Sequence, residues 1–175
     1  MTLTSGETDQ DTISVRPARH PDLEAASKLA AALVREHHAY DPLRFMCIEP
    51  LEDGYLRFLR SQLGREDVVL LVAVRRFGVE DTVVGYLLAS LEERDWSDLR
   101  DACGKIHDVY VDAGVRRHGV ASLLVEEATS RLTAMGAPRV VLMAAWRNQG
   151  ARQLFERLGF RSTMVEMTRE AAPKP

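Results

Sequence analysis

The stretch Lys105–Gly136, KIHDVYVDAGVRRHGVASLLVEEATSRLTAMG, joins two kinds of structure through one basic turn. Its first eight residues are β-branched and aromatic in near alternation, which predicts a strand. From Val120 onward, Leu124, Ala128, Leu132 and Met135 recur at helical spacing, and Gly136 with Pro138 stops the helix. Between them lie Arg116, Arg117, His118 and Gly119. A helix N-terminus offers unpaired N–H groups and the positive end of its dipole, both suited to phosphate. The small residues Gly119 and Ala121 let a phosphate approach the backbone, and the preceding turn can add a nest of amides. Gly114 and Gly119 have the glycine spacing of a P-loop, but Val120 and Ala121 stand where that motif needs Lys and Ser/Thr. No G-x-G-x-x-G fingerprint is present either. The turn suits a diphosphate without metal.

Outward from this stretch the elements alternate. The segment ISVRPA predicts a first strand, and PDLEAASKLAAALVREHHA predicts a helix with Asp22 and Glu24 in its first turn. A weaker helix follows in LEDGYLRFLRSQLG. DVVLLVAVR and TVVGYLLASL read as a hairpin around RFGVED, apolar enough to be covered on both faces. Downstream, RVVLMAAW predicts a strand, QGARQLFERLG a helix and FRSTMVEMTR a closing strand. The expected fold is α/β, a mixed central sheet with helices on both faces. One domain over 13–169 is expected, with disordered tails at 1–12 and 170–175.

Composition narrows the function. The chain has 175 residues, a formal net charge of −3 and 46% hydrophobic residues, which disfavours nucleic acid as the main partner. No apolar run approaches about 18 residues, so no membrane span is expected. The polar, acidic start MTLTSGETDQDT lacks the basic and apolar regions of a signal peptide, and a cytoplasmic protein is expected. Cys47 and Cys103 suggest neither a disulfide framework nor a zinc knuckle, and no H-E-x-x-H spacing exists for the five histidines, so no metal is expected.

Arg116-x-x-Gly119-x-Ala121 after the VYV strand resembles the R/Q-x-x-G-x-G/A signature of the GNAT superfamily, the acetyl-CoA-dependent N-acetyltransferases. NQGARQLFERLGF, Asn148 to Phe160, resembles that family's N-x-x-A-x-x-L-Y-x-x-x-G-F segment. The resemblance implies that acetyl-CoA lies along Val109, Tyr110 and Val111, its pantetheine arm pairing with the backbone of Val109 and Val111. It implies that amides from Arg117 to Ser122, including those of His118, Gly119, Val120 and Ala121, hold the pyrophosphate, with Arg116 at the rim. It implies that Asn148 contacts the coenzyme, although an ordinary helix N-cap is an equally good role. A backbone N–H of the VYV strand would stabilise the developing oxyanion.

His107 stands where some family members carry a glutamate base, and an imidazole can serve at neutral pH. Alternation puts His107 with Val109 and Val111 on one face and Asp108 with Tyr110 on the other. Phe155 occupies the position of the family's frequent tyrosine acid. His37 and Trp146 read as packed side chains, and Cys103 as an unactivated thiol. The run Glu92–Asp101 reads as solvated loop or as an attractor for a cationic acceptor. The expected activity is acetyl transfer to a small-molecule or peptide primary amine by direct attack, the loop and helix from His37 to Asp53 lining the acceptor side. A homodimer is left open. The alternatives are a non-catalytic acyl-CoA-binding module and, further off, a protein-interaction domain.

Overall fold

A computed structural model describes residues 11–171. Five strands form one sheet in the order β1 (Thr12–Pro17), β2 (Val68–Phe77), β3 (Glu80–Glu92), β4 (Cys103–Val111) and β5 (Val140–Leu142). The first four run antiparallel and β5 joins β4 in parallel. The expected hairpin turns at Gly78–Val79, where Gly78 takes a φ of 62° that a side chain would resist.

Helices cover both faces, as the sequence pattern demands. On one face lie α1 (Leu23–Tyr40) and α2 (Leu51–Gln62), burying Leu23, Ala26, Ala30 and Leu59 against Leu70, Val72, Tyr86 and Leu88. On the other lie α3 (Val120–Ala134) and α4 (Gln149–Arg157), burying Val120, Leu124, Ala128, Leu132 and Phe155 against Leu71, Ala73, Leu87 and Ile106. Apolar residues on both sides of β2 and β3 explain the near-continuous hydrophobicity of those strands. Among the described residues no helix is long and apolar enough to cross a membrane.

Three expectations are corrected. The strand expected over 139–146 spans only Val140–Leu142. Residues 160–169 form no strand, although Met164, Val165 and Met167 have strand character and stand exposed. The first has a visible cause: a strand holds only where a neighbour supplies hydrogen bonds, and β4 pairs with β5 only from Gly104 to Ile106. Trp146, expected in the core, is 70% exposed and lies under the Arg152 guanidinium, 4.1 Å from ring centroid to Cζ. The expected tails fall mostly outside the described residues, but Thr12 already belongs to β1.

Candidate active site

β4 organises the site. Leu87 faces Val109 and Leu88 faces Asp108, but Ala89 faces Ile106, so one extra residue enters β4 at His107. This bulge changes the side-chain alternation. Ile106 and Val109 pack with the α3–α4 cluster, while His107 and Asp108 both line a cavity on the α1–α2 face. The sequence expectation that His107 and Asp108 diverge is therefore wrong. Alternation assumes an uninterrupted pleat, and the bulge carries no signature in residue type.

The cavity measures about 700 Å³. Leu51, Tyr55 and Phe58 of α2 and Ile48 of the preceding loop form one wall, with Leu88, Leu91 and Val68 opposite. Glu92, Glu93, Ser90, His107 and Asp108 provide its polar lining. Ser90 Oγ lies 2.7 Å from His107 Nε2 and 3.0 Å from Glu92 Oε1. Burial pushes the His107 imidazole below its ordinary pKa, although Glu92 works the other way. Asp108 accepts a hydrogen bond from the fully buried Tyr86 hydroxyl at 3.1 Å, and its own burial raises its carboxyl above the usual range. Burial also pushes the Tyr55 phenol up to about 12, so it stays protonated. Asp108, Ser90 and Tyr55 were missed as candidates. A lone Ser or Asp in an apolar strand was the available signal.

The acidic run divides. Glu92 and Glu93 reach the cavity, whereas Asp95 accepts from Ser97 and Asp98 amides in its own turn and Asp101 pairs with Arg94 at 3.0 Å. Cys103 is buried beside Arg100, away from the cavity walls. His37 packs edge-on against Phe45 and bonds the Leu33 carbonyl, as expected of a structural histidine.

Across β4 from the cavity lies the turn. Arg117 and Gly119 both adopt left-handed backbone, φ 69° and 77°. No side chain caps α3, and its first turn holds no acid. A Cβ at Gly119 would meet nothing within 4 Å, so the space before these amides is open. Asp112 N–H donates to Val84 O at 2.8 Å, so alternation turns the N–H groups of Val111 and Val109 away from β3, into the gap left where β5 ends. Turn, open helix end and a strand edge whose N–H groups point away from β3 fit a diphosphate carrying an amide-rich arm, with Val111 O already taken by Arg116. Asn148 caps α4 through the Ala151 amide at 3.0 Å, filling the structural role.

Arg116 also has partners within the fold. Its Nε donates to Val111 O at 3.0 Å and its Nη2 to Glu36 Oε2 at 2.8 Å, and the guanidinium lies over the Tyr110 ring. Burial works to raise the Glu36 carboxyl, but Arg116 and Tyr40 hold it below its ordinary value. This arginine clamps α1 to the end of β4. His118 stays close to the turn, its Nδ1 3.0 Å from Arg116 O. Phe155 is buried against Phe160 and supplies no proton. No group of three His, Cys, Asp or Glu side chains among the described residues could hold a metal ion.

Comparisons with known proteins bear on the fold and the family. A mutant of the BH1408 protein from Bacillus halodurans superposes with a TM-score of 0.77 at 19% identity, over 91% of this chain and 99% of that one. The aminoglycoside N-acetyltransferase AAC(6')-Iy in complex with CoA gives 0.71 at 16% identity, over 93% and 96% of the two chains. AAC(6')-IG from Acinetobacter haemolyticus, an aminoglycoside 6'-N-acetyltransferase, gives 0.65 at 18%, over 91% and 99%. These likenesses show the fold. A comparison with curated proteins finds no match. The model of the acetyltransferase (GNAT) family matches residues 30–160, from α1 through the end of the NQGARQLFERLGF segment, and the chain belongs to that family.

Proposed function

We propose that the protein transfers acetyl from acetyl-CoA to a primary amine by direct attack within a ternary complex. The observation that carries this reading is the meeting of two features along β4. A backbone edge and open helix end fit the coenzyme on one side, and a cavity lined by His107 and Asp108 fits an acceptor on the other. The arm would pair with Val109 and Val111, and the pyrophosphate would sit on the amides of Arg117 to Ser122. The coenzyme supplies an activated thioester.

The chain's own residues handle the proton. An alkyl amine of pKa about 10.4 is almost wholly protonated at pH 7 and must lose a proton before attack. The Ser90 hydroxyl has one proton, and a carboxylate is its strongest acceptor, so it donates to Glu92. Its oxygen then accepts from His107 Nε2–H, which leaves Nδ1 of a neutral imidazole as the base. Glu92, Glu93 and Asp108 give the incoming ammonium anionic neighbours. Phe155 cannot protonate the departing thiolate, but a thiol of pKa about 8.5, by analogy with cysteine, needs little help.

The test is thermal stabilisation by acetyl-CoA together with thiol release when amines are added. Gly119→Glu should abolish the stabilisation, because it forces a side chain and like charge into a left-handed position facing the diphosphate. The rival reading, an acyl-CoA-binding module without chemistry, predicts stabilisation with no amine-dependent thiol release. No stabilisation at millimolar acetyl-CoA overturns both.

A further inference from the structure

The acceptor cavity has an uneven lining. Glu92, Glu93 and Asp108 bring carboxylates from the end of β3, the residue after it and the bulge in β4, and Asp67 adds one beside Arg65. Among the described residues neither Glu93 nor Asp108 is in a salt bridge; Glu93 is exposed, and Asp108 keeps one oxygen that the Tyr86 hydroxyl does not hold. Ile48, Leu51, Tyr55 and Phe58 form a largely apolar wall that ends at Gln62, and Val68, Leu88 and Leu91 add apolar surface from the sheet. Ile48 and Phe58 are 69% and 44% exposed, which leaves apolar surface in water at the open side. Among the described residues of the lining the one guanidinium, Arg65, is held by Asp67.

We propose that the acceptor is an amphipathic monoamine: one primary ammonium on an unbranched alkyl or aryl-alkyl body, its charge toward Glu93, Asp108 and His107 and its body along the α2 wall of Ile48, Leu51 and Phe58. This rests on the acetyltransferase reading above and names its substrate class. The apolar wall selects in two ways. It gains from every methylene that leaves water. It also rejects bodies dense in hydroxyl or amino groups, which would be stripped of water without partners there. A polyamine or an amino sugar carries its second and third polar groups onto that wall, whereas an alkylamine carries none.

The experiment measures kcat/KM for n-hexylamine, 2-phenylethylamine, ethanolamine, spermidine and kanamycin by thiol release from acetyl-CoA. Calorimetric titration of n-hexylamine into protein saturated with CoA gives a readout independent of turnover. n-Hexylamine and 2-phenylethylamine should exceed each polar acceptor at least tenfold, and n-hexylamine should bind the CoA-saturated protein. Phe58→Ser, at a half-exposed position that spares the fold, should lower the ratio of n-hexylamine to ethanolamine at least fivefold. A preference for spermidine or kanamycin overturns the proposal, as does a ratio that Phe58→Ser leaves unchanged. Acetyl-CoA stabilisation without turnover of either apolar amine also overturns it while leaving coenzyme binding standing. Absence of that stabilisation overturns the underlying acetyltransferase reading instead.

Discussion

His107 shows how one residue's role depends on backbone count. As the extra residue of the bulge it leaves the α3–α4 face and meets Ser90 and Glu92 in the cavity. Burial holds its pKa below the ordinary value of about 6.5, so at pH 7 the imidazole is neutral and can accept a proton. Activity should therefore fall as pH drops through that lowered pKa, because protonation removes the base. His107→Gln keeps the size and a hydrogen bond to Ser90 but cannot take up a proton. We expect kcat to drop at least tenfold, within the roughly 10²–10⁴ range of general-base contributions or just short of it. Acetyl-CoA stabilisation should be retained and the acidic limb of the pH profile lost. Full activity with an unchanged profile would return the proton to water. Among single residues, the histidine itself was legible from its place in KIHDVYVD. Its partners were not, since Ser90 and Glu92 lie on another strand and only the sheet register brings them across.

At the scale of elements, β4 carries both halves of the site because its two ends have different neighbours. From Gly104 to Ile106 it is paired on both sides; beyond, it keeps only β3. At the paired end Gly104 lies close against α3. A Cβ there would lie 2.9 Å from Leu132 Cδ1 and 3.0 Å from Leu132 Cβ, and Leu132 is fully buried. Gly104→Ala should thus push α3 off the sheet at a cost of about 1–3 kcal/mol, the usual penalty for overpacking a core. A denaturant midpoint indistinguishable from the parent protein's would show that Leu132 yields freely. The order of elements was readable through Leu158, since periodicities of two and 3.6 reflect burial that each element imposes locally. The lengths of β5 and of the segment after α4 were not readable. The first depends on whether a partner strand is within reach, which no run of Val, Met or Phe records. The GNAT signature was legible as residues, with Arg116 assigned to the phosphate, and only the meeting of α1 with β4 shows it also spanning Glu36 and Val111.

For the whole molecule, one sheet buried on both faces ties two apolar clusters together, and a buried ion pair joins the first strand to the first helix. Arg16 of β1 donates twice to Asp22, at 2.7 and 2.9 Å, and the Arg19 amide donates a third bond at 2.7 Å. Asp22 is 7% exposed, so these bonds are made where water competes little. In sequence it read as one more acid in a helix's first turn; its burial and its partner are tertiary. The Arg16 hydrogen bonds, above all, hold its folded pKa below the ordinary value, although burial opposes them. A carboxyl depressed in this way stabilises the fold in full above its unfolded pKa of about 3.9, and loses that contribution as pH falls through the folded value. Asp22→Asn keeps the shape and removes the charge, leaving Arg16 a neutral acceptor. At pH 7 the variant should be less stable by roughly 2–3 kcal/mol, somewhat under the 3–5 typical when a fully buried pair is broken. By the scaling for domains of this size, that corresponds to a Tm lower by about 4–12 °C. The gap between the two proteins should stay constant down to about pH 5 and narrow below pH 4, as the parent's own carboxyl takes up its proton. Urea unfolding across that range decides the matter: a gap independent of pH would mean that Asp22 acts through its second acceptor oxygen, which Asn lacks, with its charge contributing nothing.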